Sequence, residues 1–349
     1  MKAVRLYKPG DLRVEDVEIP KIKPDEALVK VIACGVCGSD IPRVNQYGAH
    51  IAPLTIGHEF SGEIVETGKD VKGFEKGDII GVPPLMPCYQ CRWCQKGLYS
   101  LCDSYDYFGS RRDGAMAEYV AVPQSNMMKV SKNVDPLAVA TFDPCANAIH
   151  SLTVANMQAG ETVCVYGVGP IGLFAVQCAK AFGAKTVIAV DVLDEKLAIA
   201  KELGADYTIN SKNEDAPARV RELTDGGADV ALDITGAPPA QLAAIDSCQK
   251  TGRMVFVGIS HQGLNLSEKH VDGIMRKQLS VLGSWNSFKK EFPGFDWFET
   301  RRLFENGLVH AEKVISHKLA LEDAPETFKK IAAGGFFFNK ILFMPSISK

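Results

Sequence analysis

The sequence predicts an α/β protein in which a doubly wound parallel sheet is inserted into a β-rich domain. Three observations support this fold class. A length of 349 residues favours two domains over one. The first 145 residues read as short strands broken by Gly and Pro. From Glu161 onward, strands alternate with helices.

The β-rich part is predicted from segments that alternate apolar and polar residues. Such segments lie at residues 27–33, 62–67 and 117–122. The later alternation of strand and helix stops at Trp285, where a helix at 297–306 leads into segments expected to pack back on this part. We therefore expect a β-rich catalytic domain formed by residues 1–145 and 286–349.

The inserted part is predicted from buried-type strands that alternate with helical patterns. The predicted strands cover 162–166, 186–190, 229–233, 253–258 and 279–283, with helices at 171–182 and 194–203 that end at Gly183 and Gly204. This alternation is typical of a parallel sheet with right-handed crossovers. We expect a nucleotide-binding domain over residues 146–285, with the active site in the cleft between the two domains.

Composition excludes several classes of function. The chain is 46% hydrophobic and 23% charged, with a net charge of −3, so neither nucleic acid nor a membrane is an expected partner. No apolar stretch approaches the roughly 18–20 residues of a membrane-spanning helix, and residues 1–9 carry no signal-peptide core. The expected location is the cytoplasm.

A glycine-rich loop directly follows the first strand of the inserted domain: Gly167-Val168-Gly169-Pro170-Ile171-Gly172. Gly167 suits a tight turn, Gly169 lets a pyrophosphate approach the backbone, and Gly172 lets the helix pack closely on the strand. A helix follows at once, with Pro170 and Ile171 at its start. Its N-terminus would stabilise the negative charge of the phosphate. The loop therefore predicts a dinucleotide site.

The preferred dinucleotide is predicted from Asp191, which follows the next strand. A carboxylate there accepts hydrogen bonds from a ribose diol and repels a 2′-phosphate, and no arginine follows it closely. The prediction is NAD rather than NADP. The alternative interpretation is that Asp191 caps a helix.

Ten cysteines in a chain expected to be cytoplasmic indicate metal ligands rather than disulfides. Four of them crowd into segment 88–102, at spacings that suit a tetrahedron of sulfurs around zinc: Cys88, Cys91, Cys94 and Cys102. Because four thiolates leave no open position, this zinc is predicted to be structural. The alternative is a disulfide pair or free thiols. Cys164 and Cys178 lie in apolar runs and are expected to be buried hydrophobic residues.

Two further motifs precede the cysteine-rich segment: Cys37-Gly38-Ser39-Asp40 and Gly57-His58-Glu59. With all four motifs in this order, the chain resembles the zinc-containing medium-chain alcohol dehydrogenases over nearly its full length. The resemblance implies a GroES-like fold for the β-rich catalytic domain and a Rossmann fold for the inserted domain. It also implies two zinc ions per chain, NAD, and a homodimer or homotetramer.

The resemblance implies a catalytic zinc bound by Cys37 and His58, with Glu59 as a constant or alternating ligand. Asp40 is expected to orient His58. Asp143, in Phe142-Asp143-Pro144, stands where polyol-type members have Glu and is the remaining candidate ligand. Its side chain is one methylene shorter, so a water molecule or Glu59 can take that position instead.

The resemblance also implies the reaction. Zinc lowers the pKa of a substrate alcohol, and hydride passes to the nicotinamide. Ser39 is expected to deliver the proton to water, with His50 as a candidate for the next step, because Pro42 stands where relatives carry a relay histidine. The catalytic residues are thus Ser39, Cys37, His58 and Glu59, and further cofactor contacts are expected at Lys196, Gly258, Ile259 and Ser284.

Three short segments stand out next: Gly48-Ala49-His50, Gly109-Ser110-Arg111-Arg112-Asp113-Gly114 and Gly283-Ser284-Trp285. With Pro42-Arg43 after the Cys37 motif, they resemble the polyol-phosphate dehydrogenases of this family. That resemblance implies oxidation of a secondary hydroxyl of a substrate such as galactitol 1-phosphate or a pentitol phosphate. Adjacent arginines suit a phosphate dianion because guanidinium groups bind it through two hydrogen bonds. The expected substrate contacts are Arg111, Arg112, Arg43, His50 and Trp285.

Three alternatives stay open at this point. Asp143 and Gly236-Ala237-Pro238-Pro239 resemble the threonine-dehydrogenase branch, so L-threonine or an unphosphorylated polyol is a second candidate substrate. The arginine pair is otherwise a solvated turn. A non-catalytic reductase-like protein, which would bind one zinc, is disfavoured because Cys37 and His58 are both present.

Overall fold

The computed structural model describes residues 1–347, which form two compact units. The first unit contains Met1–Asp143, Phe288–Asn306 and the described residues from Ile315 onward, and the second contains Pro144–Ser287 and Gly307–Val314. The division into domains at 145/146 and 285/286 stays a prediction. The compact units change at 143/144 and 287/288, and residues 307–314 cluster with the second unit.

The first 143 residues are built mainly from short strands. The strands are β1 (Lys2–Lys8), β2 (Asp11–Asp16), β3 (Glu26–Gly35), β4 (Leu54–Thr55), β5 (Glu59–Thr67), β6 (Ile79–Gly81), β7 (Leu85–Met86), β8 (Asp106–Tyr107), β9 (Tyr119–Pro123) and β10 (Met128–Lys129). The helices here are short: α1 (Asp40–Pro42), which continues as a π-helical turn (Arg43–Tyr47), α2 (Arg92–Gln95) and α3 (Pro136–Val139). The three strands predicted in this region are confirmed as β3, β5 and β9.

Helix α4 (Phe142–Val154) leads into the second unit, which alternates strand and helix. Its strands are β11 (Thr162–Tyr166), β12 (Thr186–Asp191), β13 (Tyr207–Asn210), β14 (Ala228–Asp233), β15 (Cys248–Phe256) and β16 (Ser280–Gly283). Its helices are α5 (Pro170–Ala181), α6 (Asp194–Glu202), α7 (Ala216–Leu223), α8 (Pro238–Ser247) and α9 (Glu268–Lys277).

All six strands of the second unit form one parallel sheet, in the order β13-β12-β11-β14-β15-β16. Strand order reverses beside β11, so the turn after β11 lies at the switch point where doubly wound sheets bind ligands. Cys164 and Cys178 are fully buried, as predicted. Strand β15 begins at Cys248, five residues before the predicted strand, because an irregular register around Thr251 continues the pairing.

The chain returns to the first unit through α10 (Phe295–Glu305), β17 (Ile315–Leu319), α11 (Ala324–Ala333) and β18 (Lys340–Phe343). Strands β17 and β18 complete a seven-stranded sheet in the order β10-β6-β5-β3-β18-β17, in which β9 also pairs with β3. A second sheet has the order β2-β1-β4, and β7 pairs with β8. The core includes Val29, Val31, Phe60, Phe108 and Ile341. Among the described residues, no helix has the length and apolar character needed to cross a bilayer.

Candidate metal and cofactor sites

The four cysteines of segment 88–102 converge on one point. Cys88, Cys91, Cys94 and Cys102 each offer a sulfur, and the four sulfurs lie within 4.8 Å of one another. The Sγ atoms of Cys88 and Cys94 are 3.9 Å apart. A tetrahedral zinc with Zn–S bonds of about 2.3 Å requires sulfur–sulfur distances of about 3.8 Å. The donor set therefore fits a four-coordinate zinc.

Backbone N–H groups prepare these sulfurs for a metal. The amides of Cys88 and Cys91 donate to the sulfurs of Cys102 and Cys88, at 3.3 and 3.4 Å. Hydrogen bonds from the Asp103 and Cys94 amides lower the pKa of Cys91 to about 6. Since the thiolate is the form that binds zinc, this lowered pKa favours metal binding by Cys91, whereas burial raises the pKa of Cys94 and Cys102.

The cysteine lobe is anchored to a segment that lies about two hundred residues later in the chain. The Ser100 hydroxyl accepts a hydrogen bond from the Phe288 amide at 2.8 Å, and the Ser100 amide donates to the Phe288 carbonyl at 3.1 Å. The Tyr99 ring contacts the Phe292 ring at 5.9 Å, and Phe288 stacks on the buried Trp297 at 5.8 Å. The lobe and segment 288–297 therefore share one aromatic core.

A second cluster joins the loop after β3 to the start of β5. Cys37, His58 and Glu59 each offer one donor atom, and these three atoms lie within 4.8 Å of one another. His58 and Glu59 are only 3% and 2% exposed. A soft sulfur, an imidazole and a carboxylate are all zinc ligands, and three protein ligands leave a fourth position open.

Asp40 lies behind this cluster and is completely buried. Its carboxylate accepts a hydrogen bond from the Cys37 amide at 3.0 Å and one from the Arg43 guanidinium at 2.8 Å. The distance from Asp40 Oδ1 to His58 Nδ1 is 3.6 Å, which is longer than a hydrogen bond. Asp40 therefore holds the Cys37 loop by hydrogen bonds and acts on His58 as a neighbouring charge.

Glu59 forms an ion pair with Lys340 of β18, and both side chains are 2% exposed. The Lys340 ammonium also donates to the Val36 carbonyl at 2.8 Å. Gly35 makes room for this contact, because a Cβ atom there would lie 2.6 Å from Glu59 Oε2. The last strand of the first unit thus supplies a buried cation to the cluster.

Asp143 lies at the start of α4 and is 5% exposed. Burial raises the pKa of Asp143 to about 7. The charges of Glu59 and Asp40 also raise this pKa, whereas His58 and Lys340 lower it. Its carboxylate is not among the donor atoms that lie within 4.8 Å of one another. Glu59 occupies the position nearer to Cys37 and His58, and direct ligation by Asp143 stays a prediction.

Tyr107 of β8 packs edge-on against the His58 ring, with 5.5 Å between ring centroids. Burial raises the pKa of the Tyr107 phenol, and the charge of Asp143 raises it further, so the hydroxyl stays protonated. Ser39 is half-buried beside Cys37, whereas His50 is exposed. Ser39 therefore adjoins the cluster through Cys37, and the role of His50 in the next proton transfer stays a prediction.

The glycine-rich loop adopts the geometry that its sequence predicts. Gly167 has a φ of +89°, and Gly169 precedes α5 with open space where a Cβ would stand. A Cβ on Gly172 would lie 2.0 Å from the Gly167 carbonyl oxygen. The turn therefore fits a pyrophosphate at the N-terminus of α5.

Asp191 ends β12 beside this turn. Its carboxylate accepts hydrogen bonds from the amides of Val168, Val192 and Leu193, at 2.9, 2.7 and 3.1 Å. Asp191 does not cap α6, whose N-cap is Leu193. A carboxylate oxygen has more than one acceptor position, so Asp191 retains capacity for a ribose hydroxyl.

Comparisons with known proteins agree with this geometry. Residues 170–299 match the family described as zinc-binding dehydrogenase, and residues 23–132 match the alcohol dehydrogenase GroES-like domain. The chain is 37% identical to galactitol 1-phosphate 5-dehydrogenase of Escherichia coli K12 over an alignment of 349 positions, which covers 99% of this chain and 100% of that protein.

The chain belongs to the zinc-binding medium-chain dehydrogenases.

Other members of this family are also similar over their full length. L-threonine 3-dehydrogenase of Pyrococcus horikoshii is 34% identical and is matched over 99% of this chain and 98% of that protein. The crystal structure of galactitol-1-phosphate dehydrogenase from E. coli superposes with a TM-score of 0.93 at 37% identity, covering 99% and 100% of the two chains. A zinc-binding dehydrogenase from Sinorhizobium meliloti 1021, bound to NADP, has a TM-score of 0.91 at 32% identity and 99% coverage of each chain.

Family membership confirms the predicted fold class and the zinc chemistry. The first unit is the GroES-like domain, and the six-stranded parallel sheet is the Rossmann-like domain. The chain is a zinc-dependent NAD(P) dehydrogenase of the alcohol or polyol type, with a four-cysteine structural cluster and a Cys/His/Glu catalytic site. The aromatic and hydrogen-bonded anchoring of the lobe agrees with the structural role of its zinc.

The remaining predicted cofactor residues lie in the second unit. The amides of Gly258 and Ser284 donate to the carbonyls of Asp233 and Phe256, both at 2.9 Å, at the carboxyl ends of the strands. The side chains of Ile259 and Trp285 are 50% and 48% exposed. Lys196 lies in the first turn of α6. Contacts of these residues with cofactor or substrate stay predictions.

Two residues of this dehydrogenase site were missed by the sequence analysis. Lys340 is a lone cation in the apolar run that begins at Phe336, and that isolation is a signal for a buried ion pair. Tyr107 had no signal in the sequence, because only the pairing of β7 with β8 brings its ring to His58.

Proposed function

We propose that this chain oxidises a secondary hydroxyl of a sugar-alcohol phosphate, such as galactitol 1-phosphate or a pentitol phosphate, with NAD as hydride acceptor, giving the keto-sugar phosphate. The observation that supports the chemistry most strongly is the buried convergence of Cys37, His58 and Glu59 within 4.8 Å. The similarity to galactitol 1-phosphate 5-dehydrogenase supports the choice of substrate.

Each residue of the cluster has a proposed role. Cys37 and His58 hold the catalytic zinc, and Glu59 or Asp143 supplies the remaining protein ligand. When bound, zinc supplies Lewis-acid chemistry that makes the proton of an alcohol easier to remove. Ser39 accepts that proton and delivers it to water, because Pro42 carries no group that could relay it. Ser39 suits this role because its hydroxyl is hydrogen-bonded to the Cys37 sulfur. Burial raises the pKa of the Cys37 thiol, and this hydrogen bond lowers it by a smaller amount.

The proposed preference for NAD is based on Asp191. Its carboxylate, fixed by three backbone amides beside the Gly167 turn, would repel the 2′-phosphate of NADP. The NADP bound by the relative from S. meliloti makes this preference worth testing directly. Steady-state kinetics with both nucleotides test it, and an equal kcat/KM for NADP would contradict it.

L-Threonine and free polyols are the competing substrates. They contain the same secondary hydroxyl, and L-threonine 3-dehydrogenases are 34% identical to this chain. The zinc-loaded protein should be assayed for NAD reduction with hexitol phosphates, pentitol phosphates, the matching free polyols and L-threonine. Turnover confined to phosphorylated polyols supports the proposal, and equal turnover of free polyols or threonine refutes it. Metal analysis should give about two zinc ions per chain.

We also propose that the second unit pairs with a second copy of the chain through β16. This strand forms one edge of the parallel sheet, and Val281 is 40% exposed. Helix α9 has no buried residue, and its Met275 is 65% exposed. An exposed apolar edge strand favours pairing with another strand. Light scattering should give a dimer or tetramer that Val281→Lys converts to smaller species, and a monomeric wild-type protein would refute the proposal.

A further inference from the structure

The turn at residues 109–114 is fixed directly against the candidate catalytic site. Gly109 and Gly114 pack so closely on Gly57 that a Cβ on either would lie 2.6 or 2.0 Å from its backbone. The Ala115 amide also donates to the Gly57 carbonyl at 2.9 Å. Gly57 precedes His58, so the backbone of this turn is held next to the zinc-ligand cluster.

Arg43 connects the turn to the cluster. One of its terminal nitrogens donates to Asp40 at 2.8 Å, and the other donates to the Ser110 hydroxyl at 3.3 Å. The side chain of Arg43 is 17% exposed and that of Asp40 is not exposed at all. A guanidinium has five N–H donors, so Arg43 keeps donors for an anion beside Ser110.

Arg111 presents a second guanidinium at the same turn, and this one is uncommitted. It lies 4.7 Å above the Tyr105 ring, and Tyr105 in turn contacts Tyr107, which packs on His58. Within residues 1–347, Arg111 makes no side-chain hydrogen bond or ion pair, and it is exposed. Stacking on an aromatic face orients a guanidinium while leaving its N–H edges available.

Arg112 differs from its neighbour in this respect. Its guanidinium donates to the Met86 sulfur at 3.0 Å and lies 3.8 and 3.7 Å from the carboxylates of Glu26 and Asp106. The acid of the turn itself, Asp113, is paired with Arg5 and accepts a hydrogen bond from the Thr55 amide. The carboxylate of Asp113 is therefore directed to other partners, so Arg111 retains uncompensated positive charge, and Arg43, although paired with Asp40, keeps N–H donors free on its other edge.

From this arrangement we infer that Arg43, Ser110 and Arg111 form an anion subsite that binds the phosphate group of the substrate, and that Arg112 does not take part. The inference deepens the proposed function and rests on it for the identity of the substrate. Two guanidinium groups and one hydroxyl supply charge-assisted hydrogen bonds to a phosphate dianion. Arg43 is linked to the cluster through Asp40, and Arg111 is linked to it through the rings of Tyr105 and Tyr107.

The test measures two quantities on the zinc-loaded full-length protein. One is the ratio of KM for a free polyol to KM for its phosphate ester, and the other is the inhibition constant of inorganic phosphate against the free polyol. Arg111→Gln should raise the inhibition constant and the KM for the phosphate ester by about tenfold or more, with kcat little changed. Arg43→Lys should act in the same direction. Because both KM values are measured on the same variant, their ratio cancels a general effect of the altered contact with Asp40 on substrate binding.

Two arginine variants serve as comparisons. Arg112→Gln should lower thermal stability and leave the inhibition constant of phosphate unchanged. Arg13→Gln, at an exposed side chain of β2, should change neither. Unchanged phosphate inhibition in Arg111→Gln, or an equal rise in Arg112→Gln, would overturn the inference.

The outcome also separates this inference from the proposed function. If only free polyols or L-threonine are oxidised, the proposed substrate is wrong. The subsite is then tested with the substrate that does react. Competitive inhibition by phosphate that Arg111→Gln relieves would support an anion subsite, and inhibition that is equal in both proteins would refute it.

Discussion

Replacing Lys340 by Met should reveal how much the candidate catalytic site depends on its buried cation. The lysine lies on β18, is 2% exposed, and is bonded to Glu59 and to the Val36 carbonyl. Methionine is similar in length and removes only the charge and the donors. The variant therefore leaves Glu59 as a buried carboxylate without the cation that neutralises it.

The expected loss is large because both partners are almost fully buried. Removing one member of a buried ion pair costs about 3–5 kcal/mol, which is a substantial part of a total stability of roughly 5–15 kcal/mol. Burial by itself would lower the pKa of Lys340, but the charges of Glu59, Cys37 and Asp143 together raise it. A raised lysine pKa stabilises the fold fully below the unfolded value of 10.5, so the effect is complete at neutral pH.

The assay is urea unfolding of the wild type, Lys340→Met, Glu59→Gln and the double variant, each with zinc and after chelation. The loss of stability in the double variant should be smaller than the two single losses added together, by at least about 1 kcal/mol. The reason is that the double variant leaves no buried charge without its partner. Lys2→Met, in the exposed pair with Glu322, is the matched control and should change stability little. Additive losses in the double variant would refute a direct pairing of Lys340 with Glu59.

Three further predictions follow from features of the two units. Gly169→Ala should leave thermal stability unchanged and weaken NAD binding about tenfold, as measured by calorimetry. Gly172→Ala should weaken NAD binding as well and also lose roughly 1–3 kcal/mol of stability. Equal stability of the two variants would contradict this prediction. Cys88→Ser should remove about one zinc per chain and shift the fluorescence of Trp297, and full zinc content would count against the four-cysteine site. In metal-free protein, the pKa of Asp143 is raised from 3.8 to about 7 by burial, so the unfolded state loses its proton first and stability falls as pH rises between these values. Asp143→Asn should flatten that fall in urea titrations, and an unchanged slope would argue against it.

The sequence predicted well wherever a local pattern determines the structure. Strand β11, the Gly167 turn and α5 follow from a buried apolar run, a positive-φ glycine and a helix that begins at Pro170. The four-cysteine cluster follows from spacing alone, since tight turns bring such sulfurs together. These features depend on a few neighbouring residues, and no distant contact alters them.

The sequence predicted poorly where the direction of a side chain decides the function. Arg111 and Arg112 are adjacent and chemically identical, yet one is free on an aromatic face and the other is bound to Glu26 and Asp106. The orientation is set by strand pairing and by the position of Glu26, eighty-six residues earlier in the chain. No periodicity or spacing near residue 111 contains that information.

The partners in the Glu59–Lys340 ion pair are separated by 281 positions in the chain. At about 5–20 residues per second, a ribosome needs roughly 15–60 seconds to synthesise the residues between them. The whole second unit is made in that interval, while Cys37, His58 and Glu59 are already present. The carboxylate of Glu59 therefore gains its buried counter-charge only when β18, the last strand to be synthesised, takes its place in the sheet.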